Sequence, residues 1–188
     1  MCRCLILIIL LFPALAHGQN LAFVEENISM EISDGFFYVS GQYKLQGDGE
    51  NFKTLFYPLP VNPLYGDADS VLIYNLSTGN KITPLRISKD AVIFQFGFND
   101  LNEVIIQISY CQQILANQIE YIVNTTKAWK KPLRRADFQL MVPDNLEITQ
   151  FEYKPDDSLK IGNKLIYYWT IYDFMPAKNM MFQFKPAE

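Results

Sequence analysis

An all-β fold, an antiparallel β-sandwich of immunoglobulin-like or jelly-roll-like type with roughly 10–12 strands, is what this sequence predicts. Three observations carry the prediction. Apolar residues recur with a two-residue period along most of the chain, as they do on strands with one buried face. Clusters of turn-forming residues separate these stretches at short intervals. The 188 residues are 49% hydrophobic and 14% aromatic, enough to bury one core, and no low-complexity tract or linker divides residues 19–188.

The elements follow in order. Phe23 to Ile32 and Phe36 to Leu45 alternate on either side of Asp34-Gly35, a two-residue hairpin signal. Phe52 to Tyr57 follows Gly47-Asp-Gly49, and a loop with three prolines then runs from Tyr57 to Tyr65 and on through Asp69. Val71 to Leu76 and Ile82 to Ile87 flank the turn at Ser77 to Asn80. In Ala91 to Phe98 one face carries Val92, Phe94, Phe96 and Phe98; in Glu103 to Tyr110 it carries Val104, Ile106, Ile108 and Tyr110. Ile119 to Val123, Asp137 to Val142, Leu146 to Tyr153, Lys164 to Tyr172 and Met180 to Phe184 complete the strands, with Asp156-Asp157 at a hairpin tip. Helix is expected only as a turn or two, near Gln112 to Asn117 or Thr126 to Lys131, where Pro132 stops it for want of an N–H.

Residues 1–18 are expected to be a signal peptide. Arg3 precedes an unbroken apolar run from Leu5 to Phe12, then small residues suited to cleavage after Ala16 or Gly18. The run is too short for a spanning helix, so no transmembrane span is expected after cleavage. Cys2, Cys4 and the lone His17 lie in this segment. A chain cut after Gly18 keeps Cys111 as its one cysteine and no histidine, which closes Ser-His-Asp and Cys-His catalysis and His/Cys zinc sites. No cofactor is expected.

Carboxylates remain. Asp67 and Asp69 are a weak metal candidate, two oxygen donors at alternate positions without the third donor and closing Glu of a calcium loop. A glycosidase needs two carboxyls facing across a sugar, and sequence alone does not pair them. Cys111 reads as an inert thiol, since cysteine behaves as a small hydrophobe. Asn27, Asn75 and Asn124 stand in N-glycosylation patterns.

The conspicuous stretch is TTKAWKKPLRRADF, residues 125–138. Five of the sixteen Lys and Arg residues, Lys127, Lys130, Lys131, Arg134 and Arg135, surround Trp129 in a chain of net charge −4. Its length between strands indicates a crossover between sheets or around an edge. Trp129 and Leu133 are expected to fold inward while the charges reach water over their apolar stems. Two other readings use the same residues for binding, with Trp129 and the five basic side chains facing a protein partner or an anionic envelope lipid or polysaccharide. Nucleic acid is not expected of an acidic exported chain without a recognition motif.

The string from Glu120 to Leu133, followed by Ala136-Asp-Phe138, resembles a segment that recurs in bacterial secreted or envelope proteins of unknown function. Val39 to Tyr43 and Phe56 to Pro60 are similar to stretches of the same all-β domains. The resemblance implies a β fold and an exported location, and it carries no catalytic residue. The expectation is thus an exported, non-enzymatic β-sandwich that binds or scaffolds in the cell envelope or extracellular space. The alternative is a secreted carbohydrate-binding domain or a carboxylate-dependent enzyme acting on polysaccharide.

Overall fold

The computed structural model describes residues 21–47 and 52–187; the expected signal peptide lies outside them. Fourteen strands and one short 3-10 helix make up this part of the chain. An eight-stranded sheet, in the order β12-β13-β10-β1-β2-β8-β4-β5, is faced by two three-stranded sheets, β11-β14-β9 and β3-β7-β6. The all-β sandwich is therefore observed. Its second layer is split in two.

The large sheet is organised around β1 (Leu21–Ser33). On one side β1 pairs antiparallel with β2 (Phe36–Gly47). The two-residue turn between them places Asp34 at φ 50° and Gly35 at φ 78°, and this left-handed pair matches the twist of the hairpin. On its other side β1 pairs with β10 (Leu133–Pro143) in parallel, a departure from the otherwise antiparallel pattern. β1 thus joins a half made of β10, β13 (Lys164–Phe174) and β12 (Asp157–Ile161) to a half made of β2, β8 (Glu103–Ile114), β4 (Tyr65–Asn75) and β5 (Asn80–Lys81).

Each half has its own cover. β11 (Leu146–Phe151), β14 (Met180–Pro186) and β9 (Gln118–Tyr121) lie over the first, where Phe151 meets Tyr167 at 4.9 Å between ring centres and Phe182 meets Trp169 at 5.8 Å. β3 (Lys53–Pro58), β7 (Ala91–Phe96) and β6 (Arg86–Ile87) lie over the second, where Tyr57 meets Tyr43 at 5.5 Å and Tyr110 at 6.3 Å. The predicted apolar rows do line the core: Phe94, Phe96, Phe98, Val104, Ile106, Ile108 and Tyr110 are all buried.

Several local expectations are corrected. The segment expected as helix from Gln112 continues β8 to Ile114, because Gln112 is buried and its amide donates to the carbonyls of Pro60 (2.9 Å) and Gly66 (3.0 Å). Strand pairing there serves a buried amide that a helix would expose. Of the strand expected over Ile82 to Ile87 only β6, Arg86–Ile87, is strand; β5 ends at Lys81 and lies in a different sheet. Of the acidic pair at the expected hairpin tip, Asp157 opens β12, an edge strand whose five residues are all exposed, and Asp156 lies just before it. Asp67 and Asp69 stand in β4, not in a loop.

The connection from β9 to β10 passes from a small sheet to the large one, as a crossover must. It holds the 3-10 helix Asn124–Trp129, and Lys130 at φ 58° turns the chain out of it. Leu133 closes this end of the core with no exposed surface. Leu133→Ala should cost about 2–5 kcal/mol, the range for emptying a buried leucine site, measured by urea unfolding. A loss below about 1 kcal/mol would contradict its place in the core.

Candidate functional site

In β1 the residues facing the core are Ile28, Met30 and Ile32, all buried. Continuing that alternation two residues back gives Glu26, a carboxylic acid in an apolar row. It is 4% exposed, and its Oε1 has no hydrogen-bond partner among the described residues. In register it stands between Tyr43 of β2 and Ala136 of β10, beneath the divide between the two small sheets. A β-bulge follows immediately: the β1–β2 register slips between Phe23 and Glu25. The extra residue brings Phe23 opposite the buried Leu45 and onto the same face as Glu26, which strict alternation would forbid.

The split in the second layer leaves a cavity of about 460 Å³ here. Its floor comes from β1, β2 and β8, with Glu26, Tyr43 and Ile108 among its residues. One wall is β3 and β7, presenting Leu55, Tyr57 and Phe94. The other is the end of β9 and the 3-10 helix, from Tyr121 to Trp129. Among the described lining residues Glu26 is the single Asp, Glu, Lys or Arg side chain, and the surface around it is largely apolar.

Three tyrosines converge beside the acid. The Tyr43 hydroxyl lies 2.8 Å from that of Tyr57 and 3.0 Å from that of Tyr121, all in buried positions. Gly41 makes this possible. A methyl at that position would overlap the Tyr43 hydroxyl and come within 2.8 Å of Ile28 Cδ1. Burial holds the tyrosine hydroxyls well above their usual range, so they act as donors and acceptors and do not ionise. Burial also pushes Glu26 up to about 8, against the opposing hydrogen bond from Tyr121. At neutral pH the cavity therefore holds a protonated carboxyl, able to donate or accept one hydrogen bond.

The helical wall is tied down by polar contacts. Asn179 Oδ1 accepts from the N–H groups of Val123 (3.3 Å) and Asn124 (3.1 Å), while its Nδ2 donates to Glu120 at 2.6 Å. Glu120 also accepts from the Tyr65 hydroxyl. Lys127 Nζ donates to the carbonyl of Ala177 at 3.0 Å.

The basic cluster is thus dispersed. Lys127 fastens the wall; Arg134 pairs with Glu25 at 2.8 Å; Arg135 pairs with Asp137 at 2.7 Å and lies 5.8 Å over the Tyr172 ring. Lys130 and Lys131 are exposed on the turn leaving the helix. Trp129 is half-buried, packed on Phe23 at 5.9 Å between ring centres, and it lines the cavity.

The remaining sequence candidates lie elsewhere. Asp67 pairs with Lys89 at 2.9 Å, and Asp69 accepts from the Ser70 N–H. Among the described residues no group of three or more His, Cys, Asp or Glu is placed to hold a metal ion. Cys111 is a half-buried free thiol on the outer face of the large sheet, in register with Tyr38 and Asp69. Asn27 and Asn124 are exposed, whereas Asn75 is buried and its side chain accepts from the Ser77 N–H, which removes it as a glycan acceptor. No helix among the described residues is long and apolar enough to cross a membrane.

No protein-family model matches the chain, and no curated protein matches it. Solved structures do. A Legionella pneumophila protein provisionally described as nutrient-binding aligns over 88% of this chain and 67% of its own, with a TM-score of 0.65 at 12% identity. An M1 zinc metallopeptidase from Deinococcus radiodurans aligns over 88% of this chain and 43% of its own, with a TM-score of 0.55 at 6% identity. The chain thus spans less than half of the metallopeptidase. At these identities the likeness is one of fold.

Glu26 can be tested through pH. Its folded form keeps a proton that the unfolded chain loses near pH 4.5, so between about 4.5 and 8 stability must fall as pH rises. Relative to Glu26→Gln, the protein should lose up to about 1.4 kcal/mol per pH unit across that window, and the difference between the two should stop changing with pH below about 4. Urea titrations at several pH values would show this, and a gap independent of pH would contradict it. Gly41→Ala should displace the Tyr43 hydroxyl and cost about 1–3 kcal/mol, the usual penalty of an overpacked core, with a changed near-ultraviolet tyrosine spectrum.

Proposed function

We propose that the protein is a non-enzymatic binding protein, working outside the cytoplasm, whose ligand is a small and largely apolar molecule held in the cavity between the split sheets. The observation that carries this is the unpartnered Oε1 of Glu26 at the floor of an apolar cavity. Buried polar atoms in folded proteins almost always have partners, and an exception inside a cavity fits a group awaiting a ligand. The volume lies in the ordinary range for small-molecule sites, roughly 300–1,000 Å³. A nutrient-binding description on a protein of the same fold is consistent with this reading. The export half rests on the apolar run of residues 5–12 behind Arg3.

A binding role also suits the chemistry better than hydrolysis. Glycoside hydrolysis needs a second carboxyl across the sugar, and Glu26 is the one carboxyl among the described lining residues. The surface alternative, an anionic lipid or polysaccharide on the basic loop, is weakened by the pairing of Arg134 and Arg135 with neighbouring acids.

Binding of the neutral fluorophore N-phenyl-1-naphthylamine tests the reading. Saturable one-site binding is expected, with affinity lowered about tenfold by Trp129→Ala, equivalent to about 1.4 kcal/mol of lost aromatic contact. Leu55→Trp, which enlarges an inward-facing lining residue of β3, should abolish it. Weak, unsaturable binding unaffected by either substitution would sink the proposal.

A further inference from the structure

We propose that the cavity selects an organic cation, an amphiphile whose ammonium nitrogen pairs with Glu26 among the rings of Tyr43, Tyr57, Tyr121 and Trp129 while its apolar body lies against Leu55 and Phe94. This rests on the binding reading above and names the ligand's chemistry.

Three observations converge. The only Asp, Glu, Lys or Arg side chain among the described lining residues is an acid, so a carboxylate or phosphate ligand would find no counter-ion. The unpartnered Oε1 is a buried carboxyl oxygen that a cationic nitrogen can pair with once the carboxyl ionises. Tyr43, Tyr57, Tyr121 and Trp129 are among the cavity's lining residues, and aromatic rings attract a desolvated cation. A neutral alcohol would satisfy Oε1 with one hydrogen bond and draw nothing from the rings beyond contact.

The groups facing Glu26 are few. β2 presents Tyr43, β3 presents Tyr57 and β9 presents Tyr121, each un-ionised at neutral pH. β7 and β8 present Phe94, Ile106 and Ile108, and β10 presents Ala136. The 3-10 helix sends its one cation, Lys127, to the Ala177 carbonyl. Ion pairing therefore needs Glu26 itself to ionise. A permanent cation that enters drives the carboxyl proton out to solvent, one proton released for one ligand bound. Affinity must then rise about tenfold per pH unit up to the acid's own transition near 8, and level off above it.

Isothermal calorimetry with n-octyltrimethylammonium, n-octanol and octanoate, each from pH 6 to 9 in two buffers of different ionisation enthalpy, tests this. The ammonium compound should bind tightest at pH 9, weaken about tenfold between pH 7 and 6, and release one proton at pH 6 to 7. Octanoate should bind weakest. Glu26→Gln should bind the ammonium compound at least tenfold more weakly and without pH dependence, yet keep its affinity for octanol. If that variant does not fold, the proton release and pH profile of the unaltered protein decide alone. Equal or tighter binding of octanoate, or a flat pH profile for the cation, overturns the inference. Octanol binding without cation binding leaves the cavity reading standing and removes this one; no binding of any probe removes both.

Discussion

One constraint orders this molecule: an eight-stranded sheet is covered by two three-stranded sheets that share no ladder with each other. Where a second layer is continuous, facing side chains interdigitate and leave few voids. Here the covers diverge above β1, the strand that joins the two halves of the large sheet. The gap has to be lined by side chains rather than by backbone. Phe23 reaches it through a bulge, Tyr43 through the missing side chain of Gly41, and Trp129 through a short 3-10 helix held by Asn179. Two of these devices belong to the β1–β2 pairing and the third to the connection from β9 to β10, and all of them line the cavity with Glu26.

Alternation and turn residues were enough to read most of the strands. Val92 to Phe98 and Val104 to Tyr110 show why: where one face is buried and the other solvated, the period is printed in the residues. β12 escaped because it is an edge strand exposed along its whole length, with no inward row to reveal. The parallel pairing of β1 with β10 escaped because periodicity reports faces, not neighbours. At the site, Trp129 was visible as an oddity of composition. Of the charges around it, Arg134 and Arg135 pair with nearby carboxylates and Lys127 with a carbonyl, which are local needs of the fold. Glu26 had a signal that composition hides: it keeps phase with Ile28, Met30 and Ile32, where strict alternation asks for an apolar residue.

The energetic contrast between these two sets of residues shows which belongs to the fold alone. An exposed pair such as Arg134 with Glu25 contributes about 0–1 kcal/mol and can be lost cheaply. Glu26 is a burden to the fold. An unpaired carboxylate at that depth would cost several kcal/mol, and an apolar side chain would pack the same position without penalty. The tyrosine cluster adds to the cost, since three hydroxyls share a buried space that phenylalanines would fill.

The fold tolerates the acid by letting it keep its proton. That answer fixes what the cavity is chemically. A neutral carboxyl in an apolar chamber is close to its neutral form's limit of usefulness as a hydrogen-bond partner, yet one deprotonation away from being the strongest electrostatic feature of the interior. Any guest must address that proton, either by accepting a hydrogen bond from it or by displacing it. The tyrosine hydroxyls, held un-ionised by the same burial, supply no charge of their own to settle the choice. On the binding role proposed above, the guest's own charge decides the state of Glu26, and the division between the two covering sheets is where the guest would meet it.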